Sequence, residues 1–225
     1  MSYSSPFNTK LIDNNLYVFI DTFNTKLSSG VLIPLLKLML RYNSKIYFYL
    51  TGIVFNKDHI KSFYDEWYQC INANFGCHNT IININCQYYD LYSIKKIDTK
   101  IGSYIMQTVG TNSHNIGNIV LVSGDVYSKT RNIPLWKICE TSLMWGWNLC
   151  VMSWSKERNE IYNIMNEKYE NMYLFNIEKL LKEKEKIDNK RMLLAQNKFQ
   201  PLTYNIKSPI DQAEETALEC IKEFI

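Results

Sequence analysis

Six short runs rich in β-branched and aromatic residues recur along the chain, each followed by residues at helical spacing, and this alternation restricts the fold more than any other feature. The runs fall at residues 16–21, 45–53, 80–86, 119–122, 149–154 and 172–175. After the first, Val31, Leu32, Leu35, Leu36 and Met39 repeat at i, i+3 and i+4, with Pro34 tolerable only in a first helical turn. After the second, Asn56 is placed to cap a helix presenting Ile60, Phe63, Tyr64, Trp67 and Ile71. After the third comes a tyrosine-rich loop, then a short helix from Thr99 through Ile101, Ile105, Met106 and Val109. Pro134 opens a further helix that Gly146 ends, and residues 156–169 and 176–195 are helical. Strands alternating with helices imply βαβ units with right-handed crossovers. The expected fold is therefore α/β, a three-layer doubly wound and mainly parallel sheet with a C-terminal helical extension.

The chain of 225 residues suits one such domain with an appendage. Residues 1–15 read as a tail, 16–181 as the domain, and 182–225 as an extension. Across the boundary between domain and extension, residues 176–195 are a charged helix with Glu178 and Lys182 placed as an i, i+4 pair, and residues 196–207 form a linker. Ser208-Pro209 then starts an amphipathic helix through Ile210, Ala213, Ala217, Ile221 and Phe224, which packs back on the domain or serves a protein partner or a second copy. A hydrophobic share of 46% argues against general disorder, and a net charge of +3 neither demands nor forbids an anionic partner. The six scattered cysteines suit reduced, buried thiols and an intracellular setting, cytoplasmic or nuclear. Residues 1–10 lack the apolar core of a secretory signal, and no stretch reaches the length of a membrane span.

Two apolar runs stop at an aspartate, Asp21 after residues 16–20 and Asp125 after residues 119–122 with Ser123 and Gly124. The carboxyl ends of buried parallel strands are where open α/β sheets bind ligands. Asp98, expected at a helix start on the same rim, makes a third carboxylate. Clustered carboxylates repel one another, and a hard divalent cation relieves that repulsion. Singly, each aspartate is better explained as an N-cap or turn former for the next helix; the combination changes the weighing.

Taken together these positions resemble the NYN domain, a branch of the PIN-like ribonucleases, over roughly residues 16–181. Asp21 with Asn24 matches the family's Asp and following Asn at the end of its first strand. Lys95 and Asp98 match its basic residue before an aspartate, and Ser123-Gly124-Asp125 matches its turn after a central strand. Gly146-Trp147-Asn148 leading into residues 149–152 is similar to its helix-to-strand passage. The resemblance implies RNA hydrolysis with Mg²⁺ or Mn²⁺, the cation being held by Asp21, Asp98 and Asp125, while Asn24 orients its water shell or the scissile phosphate. One position departs: Tyr127 and Lys129 stand where many family members carry a further aspartate. That departure implies a slow nuclease, a carboxylate recruited from elsewhere such as Asp90, or a catalytically silent RNA-binding or protein-interaction module.

Lys129 and Arg131, directly after the Asp125 turn, either position the backbone of a single-stranded RNA without reading bases or are solvated loop charges, and the resemblance adds Lys95 to the RNA-positioning set. Tyr88, Tyr89 and Tyr92 have rings suited to base stacking or to partial burial at the rim, with burial the default. Cys77, His78 and Cys86 lack the paired spacing of a structural zinc site, and His59 and His114 lack a nucleophile nearby. No glycine-rich phosphate fingerprint follows a strand. Phe23, two residues after Asp21, disfavours an aspartate-based phosphotransferase, which needs a second Asp there.

Overall fold

The computed structural model describes residues 15–39, 45–76, 80–89, 93–123, 134–156 and 158–198; at 38–39, 93–96 and 191–198 only the backbone is described. In chain order the elements are β1 (Leu16–Asp21), α1 (Thr22–Thr25), α2 (Ser29–Met39), β2 (Ile46–Val54), α3 (His59–Phe75), β3 (Thr80–Tyr88), α4 (Ser93–Thr111), β4 (Asn118–Val122), α5 (Leu135–Met144), β5 (Asn148–Ser153), α6 (Ile161–Lys168), β6 (Met172–Asn176) and α7 (Ile177–Lys198). All strands are parallel, in the order β3-β2-β1-β4-β5-β6. The three-layer doubly wound expectation is met.

The central strands are near-continuous apolar runs because helices cover both of their faces. Residues 16–20 and 119–122 are buried throughout. Side-chain parity sorts the two layers. Tyr17, Phe19, Ile119, Leu121, Leu149 and Val151 join one core with Ile97, Ile101 and Ile105 of α4, Leu135 of α5 and Tyr162 of α6. Val18, Ile20, Phe48 and Leu50 point the other way, where Phe48 meets Phe75 of α3 at 5.2 Å between ring centroids. The edge strand β3 is only half-buried, with Ile81 exposed.

Several local expectations shift. Helix α2 starts at Ser29, so Pro34 lies in its second turn, where the amide that proline lacks would have paired with the Gly30 carbonyl. Asn56 serves the turn before α3, accepting from the Asp58 amide at 3.0 Å, and does not cap the helix. Helix α4 begins at Ser93, six residues before the expected start, because Ile94 and Ile97 continue the stripe of Ile101 and Ile105. Asp98 consequently sits in its second turn and not at its N-terminus. Glu178 does not form the expected pair with Lys182; its carboxylate accepts from Ser155, through the amide at 2.9 Å and the hydroxyl at 2.8 Å. Among the described side chains of this helix, Lys184 and Asp188 form an i, i+4 pair. Of two compact units, Asp13–Glu178 carries the whole sheet. The terminal amphipathic helix expected from Ser208 lies outside the described residues. Among those described, no helix is long and apolar enough to cross a membrane.

Candidate functional site

In the order β3-β2-β1-β4-β5-β6 the crossovers reverse direction between β1 and β4, and the crevice at the carboxyl ends of those two strands is the topological switch point. Asp21 ends β1 there. Its carboxylate is fully buried and accepts four hydrogen bonds. The amides of Phe23 and Asn24 donate to Oδ1 at 3.1 and 3.0 Å, and Asn24 Nδ2 and Ser123 Oγ donate to Oδ2 at 2.5 and 3.1 Å. Asp21 is thus the N-cap of α1, as the plainer sequence reading allowed, and it is also tied across the switch point to the residue after β4. Burial pushes its acidity toward higher pH, against the opposing pull of Asn24, Ser123 and Phe23.

The surrounding turn is fastened from several sides. Thr25 Oγ1 donates to the Asp21 carbonyl at 2.7 Å, Thr22 Oγ1 to the Thr51 carbonyl at 3.2 Å, and Trp154 Nε1 to the Thr25 carbonyl at 2.8 Å. Only glycine at position 52 allows this seating: a Cβ there would lie 2.5 Å from Phe63 Cζ and 2.6 Å from Thr22 Oγ1. Lys26 closes the single turn in the left-handed region, at φ 55°.

Strand register reveals a feature that hydrophobic patterning does not. Asn85, Thr51 and Asp21 stand opposite one another on β3, β2 and β1, and Ser153 stands opposite Asn176 on β5 and β6. Ser123 fills the gap, one step beyond the Val122–Met152 pair, with its amide donating to the Met152 carbonyl. One polar residue per strand therefore makes a continuous row at the carboxyl rim, on the α4 face, directly above the apolar row of Phe19, Leu121 and Val151. Within it, Thr51 Oγ1 is buried with no hydrogen-bond partner among the described residues. At the far end Arg158 donates through Nε to Ser153 Oγ at 2.8 Å and through Nη2 to the Phe175 carbonyl at 3.0 Å and to Asn176 Oδ1. Burial lowers the pKa of this guanidinium while nearby Glu178 raises it.

The residues expected at the site are thus unequally placed. Asp21, Asn24 and Ser123 are brought together. Asp98 lies near the carboxyl-rim end of α4, half-buried with one carboxylate oxygen enclosed. Asp125, Tyr127, Lys129, Arg131, Asp90 and Tyr92, with Cys77 and His78, lie outside the described residues, as does the Lys95 side chain. Among the described residues no group of three His, Cys, Asp or Glu side chains is arranged to hold a metal. The oxygens gathered at this rim are the saturated Asp21 carboxylate, the Ser123 hydroxyl that donates to it, and the Thr51 hydroxyl. Tyr88 and Tyr89 do not stand free: Lys57 Nζ lies 5.2 Å from the Tyr88 ring, and Tyr89 packs on Phe55 at 4.9 Å. Thr51, Ser153 and Arg158 escaped sequence reasoning; the available signal was a polar residue near the end of every strand. No family model matches this chain, and no curated protein or solved structure does either.

Proposed function

We propose that the chain is a metal-dependent ribonuclease whose centre is the carboxyl rim at the β1–β4 switch point. The observation that carries this reading is the hydrogen-bonded set of Asp21, Asn24 and Ser123. Three residues that a nuclease of the NYN type uses or surrounds its site with meet where doubly wound sheets bind ligands. Asp21 supplies the fixed negative charge, Asn24 and Ser123 hold its carboxylate in one orientation, and Asp98 and Asp125 are the further carboxylates of the set. A bound Mg²⁺ or Mn²⁺ would activate water and neutralise charge on the leaving oxygen. Lys95, Lys129 and Arg131 would hold the backbone of single-stranded RNA.

A second reading has its own support. All the lone-pair positions of Asp21 are taken by protein donors and the residue has no exposure, so ligating a cation requires it to give up Asn24 or Ser123. With Tyr127 in place of a family carboxylate, this saturation favours a fold that keeps RNA or protein binding without cleavage. Cleavage of a single-stranded RNA in Mn²⁺ decides between them. The ribonuclease reading expects cutting by the parent chain and its loss in Asp21→Asn and in Asp125→Asn; cutting that survives both substitutions overturns it. Titration calorimetry that finds a Mn²⁺ site lost in Asp21→Asn counts against the silent-module reading.

A further inference from the structure

A separate cavity of about 350 Å³ opens over the amino half of the sheet, between β1–β3 and the C-terminal half of α4. Its size falls within the roughly 300 to 1,000 Å³ of small-molecule sites. Tyr17, Tyr47, Tyr49 and Tyr104 supply its aromatic surface, and Asn83 and Gln107 its amides. None of the residues lining it is charged. We infer that it receives an unpaired nucleobase: a flat, neutral heterocycle whose faces stack on tyrosine and whose edge offers both donors and acceptors.

The rings are preset for that guest. Tyr17 and Tyr47 stack at 4.8 Å, and Tyr49 stacks on Phe19 at 5.0 Å, so the inner faces of Tyr47 and Tyr49 are occupied. Their outer faces turn toward β3, where the register places Ile81 and Asn83, both exposed. Tyr104 reaches over from α4, its centroid 5.3 Å from that of Tyr49 and tilted by 40°, so it roofs the space without closing it. The side-chain amides of Asn83 and Gln107 make no hydrogen bond among the described residues, whereas Asn112 spends its donors on the Thr108 carbonyl and on Thr111 Oγ1. Two uncommitted amides beside aromatic rings suit base edges, and an uncharged lining excludes a phosphate as the buried group. Lys100, one helical turn from Tyr104 toward the carboxyl rim, holds its ammonium 4.8 Å from that ring and is a cation beside the cavity's uncharged lining. Tyr17 lies four residue steps before Asp21, about 13 Å along β1. The cavity shares no residue with the rim row, which begins two residues further along at Thr51 and Asn85, and the inference does not depend on cleavage.

The base has two sources, a free nucleoside or a single-stranded RNA, and binding to the full chain separates them. In EDTA, titration calorimetry with adenosine, uridine, an oligouridylate and an abasic strand of equal length is run on the parent, on Tyr104→Ala and on the exposed substitution Gln107→Ala. Stacking is worth about 1–3 kcal/mol per base, so Tyr104→Ala is expected to weaken binding by about 5- to 150-fold. Loss of affinity for nucleosides assigns the site to a free ligand; loss confined to the oligouridylate assigns it to a strand. Binding of the abasic strand equal to that of the oligouridylate, no binding of any base, or variants within about twofold of the parent overturns the inference. Asp21→Asn is expected to retain this binding, so failure of the nuclease reading and failure of this one are told apart.

Discussion

Asp21 carries two roles that pull its acidity in opposite directions. Burial raises its pKa above the ordinary 3.8, while donors from Asn24, Ser123 and Phe23 oppose that rise without cancelling it. A carboxyl whose folded pKa exceeds its unfolded one binds more protons in the native state, so its contribution to stability falls as pH climbs from the unfolded toward the folded value. It is most favourable below about pH 3.8 and lost above the raised pKa. Asparagine at this position keeps an oxygen for the Phe23 and Asn24 amides and removes the titration. We therefore expect the stability of the parent relative to Asp21→Asn to increase as pH is lowered from neutrality, measured by urea unfolding at a series of pH values. Asp21→Ala, which strands buried donors, should cost about 2–4 kcal/mol at neutral pH. A difference between parent and Asp21→Asn that is flat in pH would mean that the carboxyl is not held above its ordinary value.

At the level of elements, polar residues do the joining that apolar residues cannot. Arg158 links the ends of β5 and β6 through Ser153, the Phe175 carbonyl and Asn176, and Ser153 is buried. Removing the guanidinium leaves those acceptors unsatisfied in a half-buried place, so Arg158→Ala should lose about 2–4 kcal/mol in chemical denaturation, and Arg158→Lys should recover little because a point charge cannot reproduce the planar fork. Full stability in Arg158→Lys would show that charge alone suffices. The strands and most helices were legible because burial on both faces writes itself as runs such as residues 16–20, and α5 was bounded by Pro134 and Gly146. The one-turn helix α1 was not, since four residues carry no period and its cause is the Asp21 side chain. The start of α4 was missed because tyrosines and lysines masked the isoleucine stripe. In the candidate site Asp21 with Asn24 and the separate Ser123-Gly124-Asp125 turn were legible as two short motifs, whereas Thr51 joins the rim through register and Arg158 through hydrogen bonds to Ser153, the Phe175 carbonyl and Asn176, which no short window of sequence contains.

Across the whole sheet-bearing unit, stability should be graded from the switch point outward. Strands β1 and β4 sit at the centre, buried on both faces, and β1 is also fastened at its end through Asp21, Thr25 and the contact from Trp154 to α1. Strand β3 pairs on one side only, and Ile81, Asn83 and Tyr88 are exposed along it. Opening free energies run from near zero at weakly packed segments to the global value in the core, about 5–15 kcal/mol. Native-state hydrogen exchange is therefore expected to proceed first at β3 amides and last at β1 and β4. The row of polar residues sharpens this expectation, because it spans every strand. If hydrogen bonds at the rim held the sheet together, Ser123→Ala would speed exchange in all strands equally. If apolar burial holds it and the rim only orients Asp21, Ser123→Ala would speed exchange at α1 and the end of β1, leaving β4 near its parent rate. The second outcome follows from magnitudes: a single side-chain bond contributes about 1 kcal/mol, whereas each fully buried large apolar side chain contributes about 1.5–3 kcal/mol. Uniform acceleration would assign the sheet's cohesion to its polar rim.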